Sequence, residues 1–207
     1  MLVFFSELRP LWIIGSSLIR RACEHTQNRP TGSNLRLEDY GCRIVWIHMN
    51  GMRWHDILNA IQGMIPVHGY PSAKIIHCGG NDIGDVPLGL LLYNMKQTFL
   101  SLIVEILPGI PIIWSSILPR ITWRYSNNSK KMERTRKRVN RLVRSFLLKR
   151  NCYVIKYPDF DDKLQSLFAN DGVHLSFIGL DMFINTIQGA LETFIANPWY
   201  HTFPLAG

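Results

Sequence analysis

No run of apolar residues in this 207-residue chain reaches the roughly 18 needed for a membrane-spanning helix. None of the four cysteines (Cys23, Cys42, Cys78 and Cys152) stands in CxxC spacing, which speaks against a zinc knuckle or a dithiol redox motif. Cys78 and Cys152 lie in or beside apolar runs and read as buried free thiols of a reducing compartment. No pair of histidines has helical ligand spacing beside a carboxylate motif. His25, His48, His55, His68, His77 and His201 are scattered, so the sequence calls for no metal and no cofactor. There is no internal repeat, low-complexity segment or interior linker. No basic stretch precedes the short apolar lead of residues 1–5, and Glu7, Arg9 and Pro10 follow it at once. A signal peptide is not expected, and the expectation is an intracellular, cytoplasmic protein. The Asn127-Asn128-Ser129 sequon would matter only on secretion.

Charge is also sparse, 18% of residues against 47% apolar, a globular rather than a disordered composition. The length fits one domain with a sizeable core. What charge there is lies unevenly. Residues 130–150 hold ten Lys or Arg against Glu133 alone, a net +9; the rest holds 13 basic and 14 acidic residues. The overall +8 is therefore local, and any affinity for a polyanion must rest on that one stretch.

Short apolar runs alternate with amphipathic segments. Strands are expected at residues 11–14, 43–48, 73–78, 110–115 and 152–155. Helices are expected at 19–27, 54–63, 88–106, 130–149 and 177–195. In the third helix Leu88, Leu91, Leu92, Met95, Phe99, Leu102, Ile103 and Ile106 recur at steps of three and four, one buried face. In the basic helix Met132, Val139, Leu142, Val143 and Phe146 form the inward side. Strict β/α alternation argues a five-stranded parallel sheet with helices on both faces. The core spans about residues 11–195 of a single domain covering 1–207, and the residues from Pro198 read as a loose tail.

In open parallel sheets, sites form at the carboxyl ends of the strands. Gly15-Ser16-Ser17 follows the first strand and Asn50-Gly51 the second. Gly79-Gly80-Asn81-Asp82 follows the third, and Asp171-Gly172-Val173-His174 precedes the last helix. Together they supply a nucleophile (Ser17), a base (His174) and a carboxylate three residues before it (Asp171) to hold the imidazole tautomer. The backbone N–H groups of Ser17 and Gly51 and the Asn81 amide are candidate oxyanion donors. Arg20 and Arg53 are close enough in sequence to contact an anionic substrate.

These four segments resemble the sequence blocks of the SGNH (GDSL-type) hydrolase superfamily. Gly15-Ser16-Ser17 is similar to the Gly-Asp-Ser block and Gly51 to the second-block glycine. Gly79-Gly80-Asn81-Asp82 matches the third block, and Asp171-Gly172-Val173-His174 the fifth. The resemblance implies a flavodoxin-like three-layer α/β/α sandwich and hydrolysis of acyl or acetyl esters without metal or cofactor. Two residues depart from it: Ser16 stands where the family has an acid, and Leu175 where many members have proline. Trp12-Ile13-Ile14-Gly15, Gly51-Met52-Arg53-Trp54 and Asp171-Gly172-Val173-His174-Leu175 further resemble SGNH-like domains of vertebrate genomes, some associated with mobile elements.

Two functions follow as expectations. One is a serine esterase acting on a small-molecule or lipid ester, its acyl preference set by loops around residues 120–130 and 158–170. The other is a catalytically idle module that binds nucleic acid or an acidic membrane through residues 130–150. Trp114, Trp123 and Trp199 are candidates for a pocket wall or an interface, and the sequence does not place them. Oligomeric state is open.

Overall fold

The computed structural model describes residues 8–204. The apolar lead of residues 1–5 lies outside them. The elements run β1 (Arg9–Gly15), α1 (Ser17–Thr26), β2 (Cys42–His48), α2 (Ile57–His68), β3 (Ala73–His77) and α3 (Leu88–Ser101). They continue with β4 (Ile112–Ser115), α4 (Ser129–Leu148), β5 (Tyr153–Ile155), α5 (Phe177–Ala196) and β6 (Thr202–Phe203). All strands are parallel, in the order β2-β1-β3-β4-β5-β6.

Alternation along the strands builds two cores. Leu11, Ile13, Ile75, Ile113 and Ile155 face α1 and α5, where Ile19, Phe183, Ile184 and Ile187 are fully buried. Trp12, Ile14, Ile76, Trp114 and Val154 face α2, α3 and α4, meeting Ile61, Met95, Phe99 and Val143. The result is a three-layer sandwich. Trp114 belongs to the second core, edge-on to Trp54 and Phe99, while Trp199 lies on the surface. Among the described residues no helix is long and apolar enough to cross a membrane.

Among the described residues the sheet has six strands rather than five. The segment read as a loose tail turns back after α5, and Thr202 and Phe203 pair with β5. Val154 N–H donates to His201 O and Lys156 N–H to Phe203 O, and the Phe203 ring is buried. Two residues carry too little periodicity to announce a strand; the ladder and one buried ring hold it. The third helix keeps its buried face through residue 106 but widens after Ser101 into a π-type turn, Leu102–Ile106. The basic helix turns differently from its reading: Leu147 and Arg136 are buried, while Leu142 and Phe146 are only half-buried.

Arg136 is a cation on a core-facing position. It donates to Ile117 O at 2.8 Å, to the Glu133 carboxylate and to Asp161 Oδ1 at 2.9 Å. One turn on, Asn140 accepts from Ile117 N–H and donates to Ile117 O, pairing like a strand neighbour. Helix α4 thereby clamps the segment that leaves β4, which becomes one wall of the cleft described next.

Candidate active site

β1 ends at Gly15, where any side chain would collide with the His77 carbonyl on β3 and with Ile19. The chain can then turn straight into α1, with Ser16 extended as N-cap and Ser17 as the first helical residue. The Ser17 N–H, on the first turn, has no intrahelical acceptor. The Asp171 loop, which leads into α5, reaches the same point. Ser17 Oγ lies 2.9 Å from His174 Nε2, across 157 residues of sequence, and His174 Nδ1 lies 2.6 Å from Asp171 Oδ2.

Asp171 Oδ1 accepts from the backbone N–H of Val173 at 2.9 Å and of His174 at 2.8 Å. Burial alone would raise this carboxyl. The hydrogen bonds from the His174 ring and from both backbone groups outweigh burial and hold it well below the usual carboxylate range. An ionised Asp171 accepts only, so Nδ1 carries the imidazole proton and Nε2 presents its lone pair to the Ser17 hydroxyl.

Gly51 sits in a turn at φ +70°, a conformation that suits glycine. Neither its N–H nor that of Ser17 has a partner among the described residues. The Asn81 amide is oriented by its neighbours: Nδ2 donates to Met52 O at 3.0 Å, and Oδ1 accepts from Arg120 Nη2 at 3.0 Å. One Nδ2 hydrogen is left over. Ser17, Gly51, Asn81 and His174 all line one cleft of about 370 Å³. Asp82, next to Asn81, is turned inward instead. It accepts from Trp54 N–H, and burial pushes its carboxyl up to about 6.

The two arginines selected from sequence part company. Arg20 does not line the cleft. Its guanidinium donates to Asn50 Oδ1 at 2.9 Å and to Glu24 Oε1 at 2.6 Å, tying α1 to the turn that carries Gly51. One helical turn beyond Ser17 points away from the sheet edge, which proximity in sequence does not reveal. Arg53 does line the cleft, but it is ion-paired to Asp85 and donates to the Tyr125 hydroxyl.

The residues sequence reasoning missed lie after β4. Ile117 to Tyr125 supply most of one wall, including Arg120 and a buried Trp123 whose ring lies 5.4 Å from the Arg120 guanidinium. Gly80 is the trace of Arg120 in the sequence: a Cβ there would come within 2.8 Å of Arg120 Nη2. Of the two loops expected to shape the pocket, only the 120–130 loop lines it. Pro158 and Asp161 instead line a second cavity beside α4.

His77 borders the cleft from β3 but is committed to the interior. Its Nδ1 lies 2.8 Å from Ser115 Oγ, which is 2.6 Å from the Tyr157 hydroxyl, and burial pulls the imidazole down to about 3. Cys78 is buried as well, and burial pushes its thiol up, away from thiolate chemistry. Leu175 N–H donates to nothing among the described residues. The loop is held instead by a bridge in which Ala169 N–H donates to His174 O and Ser176 N–H to Leu167 O.

No protein-family model and no curated protein matches this sequence. Solved structures do match the fold. A GDSL-like lipase from Bacteroides thetaiotaomicron has 14% identity and TM-score 0.65, over 89% of this chain and 88% of that one. An acetylxylan esterase from Geobacillus stearothermophilus has 17% identity and TM-score 0.62, over 94% and 99%. An esterase from Pseudoalteromonas, inhibited by monoethylphosphonate, has 14% identity and TM-score 0.65, over 91% and 100%. The chain has the α/β fold of the SGNH hydrolases, and the proteins it resembles are ester hydrolases.

Proposed function

We propose that the protein is a serine-dependent carboxylic ester hydrolase that needs no cofactor. The observation that carries this is the unbroken chain Ser17 Oγ, His174 Nε2, His174 Nδ1, Asp171 Oδ2, at 2.9 and 2.6 Å, opening into the cleft. Ser17 Oγ attacks the ester carbonyl while His174 takes its proton. His174 returns that proton to the departing alcohol, and water activated by the same imidazole hydrolyses the acyl-enzyme. Asp171 holds the tautomer and stabilises the imidazolium. The negative charge on the tetrahedral oxygen is met by the N–H groups of Ser17 and Gly51 and by the unused Asn81 Nδ2 hydrogen. Ser16 borders the cleft without a charge, so none of these steps needs the family's acid at that position.

The test is turnover of p-nitrophenyl acetate by the wild type and by Ser17→Ala. The variant is expected to lose about 10³- to 10⁶-fold in rate. Equal rates in both proteins overturn the proposal.

A second reading rests on the outward face of α4, where Lys130, Lys131, Arg134, Lys137, Arg138, Arg141 and Arg144 are all exposed. We propose that this face binds phosphates of nucleic acid or anionic headgroups, beside the esterase activity or in its place. Buried Arg136 takes no part in it.

A further inference from the structure

Taking the esterase reading as its base, we propose that Arg120 is a specificity-determining residue that selects esters carrying a carboxylate. Three observations lead there. First, the cleft is lined by three arginines (Arg53, Arg120 and Arg124) and by no Asp or Glu among the described residues. A pocket of one sign focuses its field on what enters it.

Second, the three arginines are not equivalent. Arg53 is neutralised by Asp85, and Arg124 sits exposed at the rim. Arg120 lies inside. Its hydrogen-bond partner is neutral Asn81, through Nη2, and it has no ion pair among the described residues. Its Nε and Nη1 have no partner among those residues and are not sealed from solvent. The cleft that Arg120 lines is open to a ligand. Burial pulls the guanidinium down to about 10 against the attraction of Asp171 and Asp82, so it stays charged at neutral pH. Holding an unpaired cation there costs folding free energy, and a bound anion would offset it.

Third, Arg120 is held from both sides. Ile117 is clamped by Asn140 and Arg136. Ile121 and Thr122 N–H both donate to Gly172 O, in the Asp171 loop, at 2.8 and 3.0 Å. Gly80 leaves room for the guanidinium and Trp123 stacks against it. The cation is thus registered to the catalytic loop on one side and to the Asn81 amide on the other. One interior positive charge matches the single charge of a carboxylate, where a phosphate monoester would bring nearly two.

The experiment compares matched substrates. In one pair, 4-acetoxybenzoate and 4-acetoxybenzamide, the charge is on the leaving group. In the other, monomethyl and dimethyl glutarate, it is on the acyl side. The ratio of kcat/KM for the charged over the neutral member is measured in wild type, Arg120→Gln and Arg120→Lys. Because the ratio is taken within one preparation, any loss of folded protein cancels. The wild type is expected to favour the charged member of at least one pair. Arg120→Gln is expected to cut that preference about 10- to 100-fold, chiefly through KM, with Arg120→Lys retaining part of it.

If Arg120 merely orients Asn81, both members of each pair fall together through kcat and the proposal is overturned. Binding gives a readout independent of turnover. Succinate and inorganic phosphate are titrated calorimetrically into Ser17→Ala and Ser17→Ala/Arg120→Gln. Saturable succinate binding that the second substitution removes supports the proposal. Binding of phosphate in preference, or succinate binding equal or absent in both proteins, overturns it. If wild type hydrolyses nothing that Ser17→Ala does not, the esterase reading fails, and the titration decides the carboxylate site by itself.

Discussion

Replacing Asp171 by Asn tests the relay more sharply than removing the serine, because the structure dictates which way the new amide must lie. Two backbone N–H groups converge on Oδ1, so the asparagine oxygen takes that position and its NH₂ faces His174 Nδ1. An NH₂ only donates. Nδ1 must then become the acceptor, and the imidazole proton moves to Nε2, which faces Ser17. The base now presents an N–H to the hydroxyl it should deprotonate. The geometry is kept and the proton is on the wrong nitrogen, a defect expected to cost about 10³- to 10⁴-fold in kcat near neutral pH. Stability should change by less than about 1 kcal/mol, since the Asp171 side chain is nearly half exposed and its backbone contacts survive. The assay is burst and steady-state hydrolysis of p-nitrophenyl acetate at pH 7, with urea unfolding as control. Asp171→Ala, which leaves Nδ1 free to keep its proton, should be no worse than Asp171→Asn. An asparagine variant retaining a tenth or more of wild-type kcat would refute the tautomer argument.

Lys74, fully buried on β3 with its Nζ 3.1 Å from Ile110 O, is pulled down by burial to about 8. Between there and its unfolded value near 10.5 the unfolded chain binds more protons, so this group's destabilising effect, about 3 kcal/mol, is full below pH 8 and fades as pH rises. Lys74→Met should therefore be more stable than wild type at pH 7 by about 1–2 kcal/mol, after loss of the bond to Ile110. The advantage should vanish by about pH 10.5 in urea unfolding; one that does not shrink with pH would count against the assignment. For the basic face of α4, duplex DNA binding that neutralises about three phosphates should weaken roughly 40-fold between about 50 and 200 mM salt. It should be abolished by Arg134→Glu, Lys137→Glu and Arg141→Glu together, and salt-insensitive binding would remove that reading.

The fold was legible where a single physical signal acted alone. Buried parallel strands read as short apolar runs, and α3 as a 3.6-residue repeat, because both faces of the sheet are dry and each helix shows it one stripe. The errors fall where tertiary contact outweighs local pattern. β6 has two residues and is recruited by the open edge of β5. Arg136 occupies a core position of α4 because Glu133 one turn before it, Asp161 and the Ile117 carbonyl are waiting for it, and no hydropathy scale anticipates partners drawn from two other segments.

The same division runs through the site. Ser17, Gly51, Asn81, Asp171 and His174 could be selected in advance because each sits where a strand or its loop ends, and a parallel sheet brings such ends to one edge whatever lies between. Arg20 was misplaced by its helix phase: three residues after Ser17 is nearly one turn, yet its side chain extends along the outside of α1 to Asn50 and Glu24. Arg120 was passed over for the opposite reason. It belongs to no strand end and no periodic element, and its place depends on backbone bonds to Gly172 and on the missing side chain of Gly80, each remote in sequence. The Gly-Gly pair after β3 thus carries two meanings. Gly79, at φ +100°, makes the turn. Gly80, with no such φ, makes room for a cation. A glycine without positive φ beside a predicted catalytic amide is a signal for a close-packed neighbour, and here that neighbour is the Arg120 guanidinium.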